Sequence, residues 1–201
     1  MLKTMRLLSK LELAGQSHYG SAMPAITVRP VSTKQDKLAF LKVPFAIYAQ
    51  DPNWVAPLFF ERLEHHKKKK NPYFRHSDVQ LFIAERHGRA VGRISAQADT
   101  LRQTRHKDGV GQFGFLEAED DPEVFAALFN AAGGWLKARE FAKAQGPFSF
   151  SINDETGLLV DGFETRPTLM MPHNPRYYAT LVEREGYVKA RDLFCLQGGD
   201  N

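Results

Sequence analysis

A few polar residues fall where an α/β sheet presents chemistry. Glu117 closes the strand-like stretch GQFGFLEA, and Asn153, Asp154 and Glu155 close a second one, GPFSFSI. In open α/β sheets ligands bind beyond the carboxyl ends of such strands. There Glu117 would act as a general base, and Asn153 would orient a carbonyl or an amide. The competing reading makes Asn153-Asp154 an Asx-type turn and leaves Glu117 solvated. Tyr177 and Tyr178, at the start of a helical segment, are candidate acids or ligand walls, with core packing accounting for at least one of them.

Other motifs carry less. The tetralysine Lys67–Lys70, with Arg62, His65 and His66 before it, reads as a solvated helix end, where cations are favoured; no aromatic residues interrupt it for base stacking, so nucleic acid is not expected. Gly109 to Gly114 matches G-x-G-x-x-G by letter, but a basic loop precedes it and an aromatic strand follows, the reverse of a dinucleotide fingerprint. The seven histidines include no His-x-x-x-His pair, and the single Cys195 lies in an apolar stretch. No metal site is expected.

The elements that must position these residues centre on Gly111–Gly157. The segment PEVFAALFNAAGGWLKARE repeats apolar residues at helical spacing, with Asp120 or Asp121 as N-cap and Pro122 in the first turn. A strand, a crossover helix and a strand predict a βαβ unit, with 111–118 and 146–152 as parallel neighbours joined by a helix over 122–140. Before it, ITVRPV reads as a strand, and Ser32 with Gln35 as a capping box opening a helix. A second helix is expected over 57–70, and a hairpin pairs 79–85 with 89–98. Residues 101–109 read as a polar connection and 157–173 as a long loop. A last helix over 176–185 and a strand over 187–197 complete the order β-α-α-β-β-β-α-β-α-β.

With 201 residues, 43% of them hydrophobic, one domain with a sizeable aromatic core is expected over 23–201. Residues 1–22 carry no buried-face pattern and read as a disordered extension; the rival reading is a short amphipathic helix touching a membrane or partner. No run of about 18 apolar residues occurs, so no transmembrane segment is expected. A net charge of +4 and a pI near 9.2 fit an anionic small ligand or a membrane surface.

The segments GRAVGRISA (88–96) and NPRYYATLVEREGYVKARDL (174–193), in this order of elements, resemble the GNAT acyltransferase superfamily. DPNWVAPLFFER, GFLEAEDDPEV, GPFSFSINDETGLLVDGF and MMPHNPRYY are similar to an uncharacterised bacterial GNAT-like branch. The resemblance covers about 26–197 and implies a mixed α/β (α+β) GNAT-like fold. It implies an acyl-CoA or acetyl-CoA co-substrate rather than a tightly bound cofactor, with Phe115, Leu116 and Asn174 as donor contacts. Two departures stand out. The family's glycine-rich pyrophosphate loop reads Glu117-Ala118-Glu119-Asp120-Asp121-Pro122, and its late-helix tyrosine is Val182. A carboxylate about 4 Å from a phosphate costs roughly 1 kcal/mol in water and more when buried.

The resemblance therefore implies an N-acyltransferase with a non-standard donor pose, acting on a small-molecule or lipid-like amine. Glu117 would deprotonate the amine, Asn153 would position the acceptor or carbonyl, and Tyr177 or Tyr178 would protonate the thiolate. The alternative is a catalytically silent GNAT-fold module for binding or homodimerisation. A cytoplasmic location is the expectation for either.

Overall fold

The computed structural model describes residues 2–13 and 26–196. In chain order the strands are β1 (Leu2–Lys10), β2 (Thr27–Pro30), β3 (Ser77–Arg86), β4 (Arg89–Asp99), β5 (Val110–Ala118), β6 (Lys143–Gly146), β7 (Leu158–Asp161) and β8 (Val188–Leu196). The helices are α1 (Lys34–Ile47), α2 (Phe59–His65), α3 (Thr100–His106), α4 (Pro122–Lys137) and α5 (Tyr177–Arg184), and Pro72–Arg75 forms a short 3-10 turn. The fold is mixed α/β: one sheet in the order β2-β3-β4-β5-β6-β1-β7, with β8 also pairing β1. Every pairing is antiparallel except β5 with β6.

That parallel pair is the expected βαβ unit, in shorter form. It joins 110–112 to 143–145, and Phe148 N–H still reaches the Phe113 carbonyl at 2.8 Å. Beyond Gly146 the second segment leaves the sheet instead of continuing to 152, and Phe148 bridges to Thr156. The close approach needs Gly114, where a Cβ would lie 1.6 Å from the Phe148 carbonyl oxygen. Asp121 caps α4 by accepting from Glu123 N–H at 2.8 Å, with Pro122 at N1.

The sheet separates two apolar clusters. One packs β4, β5 and β6 against α4 and α5 through Phe113, Leu116, Phe125, Leu128 and Tyr178. The other packs α1 and the 3-10 turn against the opposite face through Phe40, Leu41, Tyr73, Phe115 and Phe150. Strict alternation would put Phe113 and Phe115 on one face. A bulge between Arg93 and Ser95 in the β4–β5 pairing, with Phe115 at φ +48°, turns Phe115 to the α1 face. Glu117 follows it there by alternation, opposite Arg93.

Several expectations are corrected. Residues 2–10 are not a disordered extension: they form β1, which pairs with β6, β7 and β8 and buries Leu8 completely. Residues 14–22 of that expected extension lie outside the described residues. The polar connection contains α3, and the long loop contains β7. The order is therefore β-β-α-α-β-β-α-β-α-β-β-α-β. The first capping box sits one residue later, at Thr33 with Asp36, and the second helix stops at His65.

Candidate functional site

Glu117 lies at the base of a pocket on the α1 face, with about 80 Å³ of room, lined also by Arg62, His66, Arg93, Phe115, Trp54, Glu155, Met171 and His173. Its carboxyl is buried against two hydroxyls. Tyr48 Oη is 2.6 Å and Tyr178 Oη 2.9 Å from Glu117 Oε2, while Arg93 Nη2 is 3.7 Å from Oε1. Burial pushes the carboxyl above its ordinary range, although Arg93 and the two tyrosines pull the other way. Tyr48 Oη also lies 3.0 Å from the His173 carbonyl oxygen. One hydroxyl proton cannot serve two acceptors. The Tyr48 proton goes to the ionised carboxylate, the stronger acceptor at the shorter distance, and turns to that carbonyl when Glu117 takes up a proton.

Two histidines complete the pocket. His66 is 2% exposed, and its ring packs on Phe115 and Phe150 at 4.8 and 5.2 Å. Burial keeps it neutral, lowering its pKa to about 3. Its Nδ1 is 2.9 Å from the Arg62 carbonyl oxygen, which can only accept, so Nδ1 carries the proton and Nε2 the lone pair. That Nε2 is buried with no partner. His173 Nε2 lies 2.7 Å from Asp51 Oδ2. Burial raises the Asp51 carboxyl, but donors from His173, Asn53 and Trp54 outweigh it and hold the group below its ordinary value. His173 Nδ1 is a second buried, unpartnered ring nitrogen. Arg93, which donates to the Phe40 carbonyl at 3.1 Å, keeps an unpartnered Nε–H.

Of the residues expected from sequence, the structure brings together Glu117, Tyr178 and Phe115. Tyr178 stands behind Glu117, accepting from Ala118 N–H at 2.8 Å, and does not line the pocket. Tyr177 donates to the Ala118 carbonyl at 2.8 Å and sits beside Tyr178. Leu116 points into the α4 core. Asn174 pairs with the β7 backbone, accepting from Leu159 N–H at 2.7 Å and donating to the Leu159 and Pro175 carbonyls, so its amide is fully engaged. Asn153 is exposed on a turn closed by Ser151 and Asp154 and is not brought to the pocket.

His66, His173, Asp51, Tyr48 and Arg93 are the residues that the sequence reading missed. The solvated-helix-end reading holds for Lys67–Lys70 but not for His66, which is buried, nor for Arg62, which pairs with Glu155. The acidic turn offers no amide cradle. Glu119 N–H donates to Val91 O, Asp121 N–H to Glu119 O, and Glu123 N–H to Asp121 Oδ1, while Pro122 has none. Its carboxylates are matched as well: Glu119 by Arg89, and Asp121 by Arg86 at 2.5 Å.

The comparisons agree on relatives of greater length. The chain is 47% identical over 183 residues to the bacterial ceramide synthase of Caulobacter vibrioides (strain NA1000 / CB15N), covering 90% of this chain and 48% of that protein. It is 49% identical over 168 residues to protein YghO of Escherichia coli (strain K12), covering 84% of this chain and 43% of the other. The chain thus spans just under half the length of these curated relatives. A functionally unknown conserved protein from Staphylococcus epidermidis ATCC 12228 shares the fold, with a TM-score of 0.53 at 12% identity over 96% of this chain and 60% of that one. No family model matches the chain.

Proposed function

We propose that this chain carries an acyl-transfer site that moves an acyl group from a thioester to the amine of a lipid-like amino alcohol. The observation that carries this reading is the pair of buried, unpartnered ring nitrogens, His66 Nε2 and His173 Nδ1, lining the same pocket as Glu117. Buried polar nitrogens without partners are costly, and a ligand head that both donates and accepts hydrogen bonds removes that cost. An amino alcohol head presents both. The name of the Caulobacter relative supports the same class, because a ceramide is a long-chain amino alcohol acylated on nitrogen.

In the transfer, the amine nitrogen attacks the thioester carbonyl carbon; the C–N bond forms and the C–S bond breaks. The amine proton passes to Glu117, whose burial makes it a stronger base than a free carboxylate. It then moves to the departing thiolate, directly or through water. His66 Nε2 accepts from the head group, His173 bonds it through Nδ1, and Asp51 fixes the His173 ring. Arg93, with its charge and free Nε–H, stabilises the oxyanion. Tyr48 and Tyr178 position the carboxyl. The donor seats its acyl chain along the aromatic wall, since the N–H groups of Glu119, Asp121 and Glu123 are engaged within the protein and Pro122 has none to offer pyrophosphate.

That same turn favours a second reading, a silent module that binds the amine without turnover. Incubation with long-chain acyl thioesters, on coenzyme A and on a carrier protein, and a sphinganine-type amine separates the two. The N-acyl product, with one free thiol released per amide, supports transfer; amine binding without product supports the silent module.

A further inference from the structure

Two segments frame the mouth of the pocket, one contributing Trp54, Val55 and Pro57 and the other Pro167 and Met171. They are tied together by Asn53 Nδ2, which donates to the Phe163 carbonyl at 3.1 Å, and by the Asp51–His173 pair. Their neighbouring side chains face solvent although they are apolar. Leu58 and Phe60 are each 74% exposed, Val55 50%, Leu169 92% and Met170 52%. Phe45, 36% exposed, packs edge-on against Trp54 and Phe59 and extends the same surface. Scattered apolar residues are normal on a surface, but a contiguous set around a pocket mouth marks a contact site.

Charge identifies the partner. Lys67–Lys70 follow α2 directly and are exposed. Glu64 pairs with Lys67 and Lys70, which leaves Lys68 and Lys69 with no carboxylate partner among the described residues. Lys42, one turn before Phe45 on α1, and Arg166, beside Pro167, are exposed as well. Protein interfaces are depleted in lysine, whereas an anionic lipid surface attracts it and takes up Leu, Phe and Met side chains beside it. No helix among the described residues is long and apolar enough to cross a membrane.

We propose that this rim docks on a bilayer containing anionic lipids, with Leu58, Phe60, Leu169 and Met170 entering the headgroup layer and Lys68 and Lys69 meeting lipid phosphates. Docking so would place the pocket mouth against the membrane, and a lipid-like amine would enter without crossing water. Exposure and charge alone define this surface, so it stands independently of acyl transfer.

Vesicle sedimentation tests it, using phosphatidylcholine alone and phosphatidylcholine mixed with phosphatidylglycerol, at low and high salt. The protein should partition onto the mixed vesicles and far less onto phosphatidylcholine alone. Lys68→Ala with Lys69→Ala should weaken partitioning by roughly tenfold or more, and salt should do the same to the wild type. Leu58→Ser with Phe60→Ser should abolish what remains at high salt. Glu117→Gln should partition like wild type, which separates a failed docking surface from a failed catalytic site. No partitioning onto mixed vesicles, or equal partitioning by all variants, would overturn the proposal. So would a dimer in sedimentation velocity that Leu58→Ser with Phe60→Ser dissociates, since the rim would then be covered by a second copy.

Discussion

Tyr48 Oη stands 2.6 Å from Glu117 Oε2 and 3.0 Å from the His173 carbonyl oxygen, so one hydroxyl joins the end of α1, the end of β5 and the segment before α5. Because Tyr48 is buried, these bonds have no water to replace them. Tyr48→Phe leaves the carbonyl and the carboxyl each short of a partner. It should cost about 1–3 kcal/mol in urea unfolding. It should also raise the Glu117 pKa further, since the Tyr48 bond pulls it down. An unchanged midpoint would mean that water replaces the hydroxyl.

His66 sets an acid limit on stability. Its folded pKa, about 3, lies below the ordinary value of 6.5, so the unfolded chain takes up a proton first as pH falls. Its contribution is complete above about pH 6.5 and is lost at up to about 1.4 kcal/mol per pH unit down to about pH 3. His66→Asn keeps a donor for the Arg62 carbonyl and removes the titration. Between pH 6.5 and 4 its stability should fall less steeply than wild type, by about one proton. Equal slopes in urea titrations at several pH values would refute the assignment.

Glu117 works in the opposite direction. Its raised folded pKa gives stability that is present below the ordinary carboxylate pKa and declines as pH rises through the folded value. Glu117→Gln should flatten that decline on the neutral side while retaining the fold, because an amide can still bond Tyr48 and Tyr178. Thermal melts of both proteins from about pH 4.5 upward check it.

The acidic turn holds α4 in place. Asp121→Ala removes both the cap on Glu123 N–H and the partner of Arg86, and should cost about 1–2 kcal/mol. Acetyl-CoA should bind the wild type with a dissociation constant on the order of a millimolar or weaker, as the turn's amides are engaged internally. Micromolar binding in calorimetry would show that the donor has a different seat.

The first strand is structural. Leu8 is fully buried in a strand that pairs with β6, β7 and β8. Leu8→Ala should cost about 2–5 kcal/mol, and deleting residues 2–10 should prevent folding. A deletion variant that melted like wild type would show that β1 is dispensable.

What was legible in the sequence was local. The α4 stripe, the hairpin of β3 and β4 and the strand end at Glu117 all carry short-range patterns. The first strand does not, because its partners lie at 144–146, 158–161 and 188–196, and burial of Lys3, Thr4, Met5, Leu7 and Leu8 leaves no alternation to read. Asn153 was expected at the site because its strand was read through residue 152; the chain turns off the sheet at Gly146 instead. His66 was hidden by the lysines after it. His173 takes its meaning from Asp51, 122 positions away, and no local pattern links the two. The DPN and HNP motifs were the available signal, each a charged or titratable residue in a segment singled out for resemblance.

The central claim is that the pocket at Glu117 transfers acyl groups, and single-turnover kinetics on folded variants test it most directly. Wild type should form the N-acyl amide from a long-chain acyl thioester and an amino alcohol. Glu117→Gln should be slower by about a hundredfold or more, consistent with loss of a general base. His173→Gln should also be slower, through loss of the Asp51-oriented ring. Amide formation by Glu117→Gln at the wild-type rate, or no amide from wild-type protein that binds both substrates, would contradict the account.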